Sequence, residues 1–150
     1  MMSRPLLLIL LASLLAGCGS RPSSATPLAG VRTLTLASVS AVSAAELSPG
    51  LGSDLESALR RSLSVRGYQL QDAEGGDALV RASWYQESRL QASGRQEVSL
   101  GISISIFDRS GARVFSVRSS RTTPAGQWNG DRVAAEVANL LRGLPESGAR

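Results

Sequence analysis

The 150-residue chain has no histidine and no lysine, and its one cysteine is Cys18. Without histidine it lacks the commonest general base, the Ser-His-Asp arrangement and the usual nitrogen ligand of transition metals. A zinc site would have to be assembled from carboxylates alone, an atypical donor set. None of its many serines stands in a G-x-S-x-G or S-x-x-K motif, and no glycine-rich phosphate loop is present. Asp72, Glu74 and Asp77 could be imagined around calcium, but the glycine pair in EGGD marks a turn. The chain is therefore read as a non-enzyme with no cofactor and no metal.

Aromatic residues are also few, two each of Trp, Tyr and Phe. All 16 basic residues are arginines, set against 12 acids for a net charge of +4, and they are scattered along the chain. A nucleic-acid surface needs a basic stripe. None is visible, so no nucleic-acid partner is expected and the charges read as solvated faces. No apolar run reaches the roughly 20 residues of a membrane span.

What is present begins at the N-terminus. Arg4 precedes the apolar stretch Leu6 to Leu15, broken only by Ser13, which has the length of a signal-peptide core. Leu15-Ala16-Gly17-Cys18 resembles the lipobox of bacterial lipoproteins at all four positions. The resemblance implies cleavage before Cys18, a diacylglycerol on its thiol and an acyl chain on the new amine. One acyl chain binds membrane only marginally, whereas two or more anchor stably. Residues 1–17 thus read as a signal peptide. Residues 18–30 read as the lipidated Cys18 followed by a Ser/Pro-rich flexible tether, spanning up to about 40 Å. With Cys18 committed to lipid no disulfide can form, and the domain must stand on its core. Gly19 and Ser20 follow the cysteine with no aspartate. By analogy with general lipoprotein sorting, that places the chain on the outer membrane, facing the periplasm.

Residues 31–146 read as one domain. VRTLTLASVSAV, 31–42, alternates in part and predicts a first strand. Ser53 and Glu56 have capping-box spacing ahead of a helical stripe at Leu55, Ala58, Leu59, Ser62 and Leu63, which Gly67 ends. Glu56 and Arg60 form an i,i+4 pair. Tyr68 to Leu70 is a short extended piece before the turn. Ala78 to Glu87 follows as a strand, with Ala78, Val80, Ala82 and Trp84 on one face and Tyr85 on the other. VSLGISISI, 98–106, alternates without error and is the clearest strand. Asp108-Arg109-Ser110-Gly111 predicts a type I turn with a left-handed glycine, returning the chain along 112–121. Val133, Val137, Leu140, Leu141 and Leu144 set a closing helix, started by Asn129 or Asp131. The order strand-helix-strand-strand-strand-helix predicts an α+β two-layer sandwich. Its sheet would be mainly antiparallel, with both helices on one face.

The segments ALRRSLSVRGYQLQDAEGGDALV, ISISIFDRSGARVFSV and RVAAEVANLLRGLP resemble the small Gram-negative lipoproteins of the domain-of-unknown-function family 4136. The chain departs from that family at Phe115, where a tryptophan is usual, and at Leu144-Pro145, where Phe-Pro is usual. The resemblance implies a fold and an envelope location, and it assigns no reaction.

Function is therefore read as binding: an accessory module in cell-envelope assembly or maintenance, contacting protein, peptidoglycan or lipid. The alternative is a carrier holding a small apolar ligand between sheet and helices. The small and aliphatic core positions, such as Ala58, Ala78 and Ala82, favour the first. The flat polar face formed by Ser99, Gly101, Ser103 and Ser105 is open to two readings: simple exposure to solvent, or partner contact, where small side chains let a backbone or glycan lie close. Tyr85 and Trp128 are each open to packing or to recognition.

Overall fold

The computed structural model describes residues 28–42 and 48–148; Cys18, the signal peptide and most of the tether lie outside the described residues. Among the described residues eight elements follow one another. They are β1 (Thr33–Ala41), α1 (Leu51–Val65), β2 (Gln69–Gln71), β3 (Ala78–Leu90), β4 (Gln96–Asp108), β5 (Arg113–Pro124), α2 (Gly130–Leu140) and a 3₁₀ turn (Leu141–Gly143).

The strands form a single sheet in the order β2-β1-β3-β4-β5. β1 runs parallel to both β2, which the chain reaches through α1, and β3, which it reaches from β2 by the short loop 72–77. The β3-β4-β5 meander is antiparallel, as the short turns require. One irregularity in the β1 sequence has a structural cause. Its register on β3 shifts between Leu36 and Ser38, so Ala37 is a bulge. The extra residue restores Val39 to the face that holds Leu34 and Leu36. The β3-β4 hairpin is longer than its polar sequence suggests: both strands pair as far as Leu90 and Gln96, with Gly94 left-handed in the turn.

Helix α1 buries Leu51, Leu55, Ala58, Leu59 and Leu63. Its beginning corrects the capping-box reading, since Ser53 lies in the first turn and Gly50 occupies the N-cap without a side-chain hydrogen bond. Burying Leu51 is worth about 1.5–3 kcal/mol, against about 1 kcal/mol for a serine cap, so the helix starts where the leucine packs. At the other end Gly67 is left-handed (φ 85°). Its N–H donates to the Ser64 carbonyl at 2.9 Å, and that of Tyr68 donates to Leu63 at 3.2 Å. These two bonds close the helix as a Schellman motif.

In α2, Asn129 is the N-cap and accepts from the Arg132 N–H at 3.0 Å. Val133, Val137, Leu141 and Leu144 are buried against α1 and the sheet. From β4, Val98, Leu100, Ile102, Ile104 and Ile106 fill the space between the layers. Leu28 also joins this core, and Ser147 donates to the Arg66 carbonyl at 2.8 Å, so packed residues reach slightly beyond 31–146 at both ends. The architecture is the expected α+β sandwich.

The EGGD turn ties the parallel part of the sheet together. The Asp77 carboxylate accepts from the main-chain N–H groups of Arg32 and Thr33 and from the Thr33 hydroxyl, all within 3.1 Å. Arg109 from the β4-β5 turn pairs with its other oxygen at 2.8 Å. Gly76 sits so close to β1 that a Cβ there would meet the Thr35 hydroxyl at 2.7 Å.

Candidate functional surfaces

Two surfaces are left after the core is built. The first is the open face of the sheet, away from the helices. Period-2 alternation places Ser99, Gly101, Ser103 and Ser105 of β4 there, next to Tyr85 of β3. Tyr85 and Gly101 are direct partners in the β3-β4 register, and the phenol ring covers the glycine. A Cβ at Gly101 would come within 2.0 Å of the ring's Cε1. The Tyr85 hydroxyl donates to the Ser120 hydroxyl at 3.2 Å. Ser99 bonds to Thr122 at 2.7 Å and Ser105 to Ser116 at 3.2 Å, so the face is a mesh of hydroxyl pairs across β4 and β5. Beside Ser103 and Ser105 a shallow depression of about 220 Å³ is flanked by Arg81, whose guanidinium lies 5.5 Å from the Phe107 ring centre. Five of the six residues singled out from the sequence are thus together on one face.

Trp128 is not with them. It is 7% exposed and its indole N–H donates to the Val98 carbonyl at 3.3 Å, on the helix side of the sheet. There it forms part of the wall of the second surface. A groove of about 680 Å³ lies between the end of β5 and α2. Arg121, Arg132 and Arg142 line this groove. Glu136 of α2 pairs with Arg121, Oε2 to Nε at 2.6 Å, with only 9% of its side chain exposed. Its Oε1 is buried without a hydrogen-bond partner. Arg132 is held by the Gln127 side chain at 2.6 Å. None of these four charged residues was singled out from the sequence. One signal was there: Glu136 interrupts the apolar stripe one position before Val137, and a carboxylate in that stripe is costly unless paired.

Between the layers, the side chains of Leu59, Leu63, Ile104, Val133 and Leu141 have no exposed surface. Among the described residues no group of three or more metal-ligating side chains comes together, and no helix is long and apolar enough to cross a membrane.

Set beside known proteins, the domain defines a class by its fold: a five-stranded mixed sheet with two helices packed together. The fold is similar to that of PelC from Paraburkholderia phytofirmans, solved as a dodecamer (TM-score 0.58, 18% identity, 83% of this chain and 92% of that one). It is similar also to lipoprotein GNA1162 from Neisseria meningitidis (TM-score 0.56, 12% identity, 74% and 96%). A third likeness is to the hypothetical protein CT253 from Chlamydia trachomatis (TM-score 0.54, 11% identity, 75% and 96%). At these identities the likeness is one of fold. No protein-family model and no curated protein matches the chain, so the resemblance to family 4136 rests on its short segments alone.

Proposed function

We propose that this chain is a lipoprotein, cut before Cys18, anchored through that residue to the outer membrane and facing the periplasm. It works there as a non-catalytic binding module in envelope assembly or maintenance. The observation that carries the reading is a complete lipobox, Leu15 to Cys18, joined to a domain whose fold is shared with lipoprotein GNA1162. The close packing between sheet and helices supports binding at a surface over carriage of an apolar ligand inside.

The deciding experiment uses Cys18→Ala. The variant should accumulate uncut and lose its lipid mass, while the wild-type chain sediments with outer membranes and shows a tri- or diacylated N-terminal peptide by mass spectrometry. An unmodified Cys18 thiol in the wild-type membrane fraction would overturn the proposal.

A further inference from the structure

The groove beside β5 joins two features that suit one kind of ligand. The first is a free sheet edge. Among the described residues β5 is the last strand in the order and pairs only with β4. Just past its end, Ala125 donates to the Gln96 carbonyl at 3.0 Å. Hydrogen-bonded pairs alternate along an antiparallel ladder. Ser119, Arg121 and Thr123 therefore turn their main-chain groups toward β4, and Ser116, Arg118, Ser120 and Thr122 turn theirs outward. An edge of this length is a template for another strand unless it is blocked. The opposite edge, β2, is only three residues long.

The second feature is charge. An added strand would project alternate side chains to the two faces of the sheet. On the helix side they would enter the groove, where three arginines stand over one glutamate. On the open side they would lie beside Arg118 and the hydroxyls of Ser120 and Thr122. The groove volume falls within the range of ligand sites, about 300–1,000 Å³. Glu136 has a specific part. Its Oε2 fixes Arg121, and its buried Oε1 has no partner. Burying a carboxylate in this way costs stability that a packed leucine would not, which marks a place where the sequence serves something other than the core.

We infer that the β5-α2 groove binds an extended acidic polypeptide segment of another envelope protein. The segment joins the sheet as a sixth strand along β5, with its carboxylates facing Arg121, Arg132 and Arg142. This deepens the binding-module reading and rests on it. Main-chain pairing supplies the affinity and the arginine-lined groove the selection for acidic side chains, a division of labour common to strand-addition sites.

The test uses the full chain purified in detergent and a ten-residue peptide of five Thr-Glu repeats, with Thr-Lys repeats as the control. Amide hydrogen exchange is read residue by residue, alongside titration for affinity. The acidic peptide should slow exchange at Arg118, Ser120 and Thr122 and leave Ser119 and Arg121 unchanged. The basic peptide should not bind. Raising salt from 0.05 to 0.5 M, or the double change Arg132→Gln and Arg142→Gln, should weaken binding by about tenfold or more. Both arginines are exposed, so the double variant should fold, whereas Arg121→Gln would strand Glu136.

Slowed exchange at β5 without peptide, rising with protein concentration, would make a second copy the occupant and overturn the proposal. So would binding of polygalacturonate with no change at β5, although that result would leave the binding-module reading standing. If neither peptide nor polygalacturonate binds, the edge arginines serve only to keep β5 from aggregating, and the proposal fails. The binding-module reading would then be judged separately, by crosslinking of the wild-type chain in intact cells.

Discussion

At the scale of single residues, the most informative position is Gly101. It stands in the cleanest alternating run of the chain, where any β-branched residue would suit a strand better. Its use is to seat Tyr85, whose ring occupies the volume of the missing side chain. Gly101→Ala should force the ring off its position and cost about 1–3 kcal/mol, the usual penalty for overpacking. In a Tyr85→Ala background the same change should cost much less, because the two residues are in contact. Urea unfolding of the two single variants and the double variant measures this coupling. Equal costs in both backgrounds would mean the ring does not rest on the glycine. Glu136 shows the opposite situation, a residue that fits its helix by propensity and its burial only through Arg121.

At the scale of elements, the joint between β1, β3 and the β4-β5 turn depends on one carboxylate. The N–H groups of Thr33 and Arg32, the Thr33 hydroxyl and the Arg109 guanidinium hold the Asp77 pKa down to about 2. The Ser110 hydroxyl, with the Ala112 and Ser110 N–H groups, likewise lowers that of Asp108 in the hairpin turn. A carboxylate lowered on folding adds stability above its unfolded pKa, and that stability is lost as pH falls through the folded value. The domain should therefore hold its urea midpoint down to about pH 4 and lose it progressively toward pH 2. Asp77→Asn should lower the midpoint at pH 7 and flatten part of the acid dependence, leaving the share owed to Asp108. A wild-type midpoint that does not change from pH 5 to pH 2 would show that this joint carries no linkage.

At the scale of the whole molecule, the two-layer plan makes opposite predictions for neighbours in one strand. Ile104 has no exposed surface and lies between the sheet and the helices. Ile104→Asp would bury an unpaired charge, and a domain of this size has only about 5–15 kcal/mol to lose, so the variant should be unfolded by circular dichroism. Ser103 faces the open side and stands opposite Arg118. Ser103→Arg should stay folded and lose about 1 kcal/mol or less, through like charges across the pair. If both variants unfold alike, the sheet is covered on both faces and the two-layer plan is wrong.

These scales also separate what was legible in the sequence from what was not. Local pattern was enough for the two helical stripes, the alternating β4, the Gly67 and Gly111 terminations and the order of elements. Side-chain direction repeats every two or 3.6 residues whatever the rest of the chain does. By the same rule it placed Ser99, Gly101, Ser103 and Ser105 on one face, and Tyr85 opposite Trp84; the β3-β4 register brought Tyr85 onto Gly101. Tertiary structure alone decided that β1 sits between β2 and β3, and that α1 begins at Leu51 and not behind a Ser53 cap. It also took Trp128 inside to the Val98 carbonyl, and brought Arg121 of β5 onto Glu136 of α2. Each of these depends on which surfaces come together, a choice made by total buried area and by the partners available to buried polar groups. No short stretch of sequence contains that information.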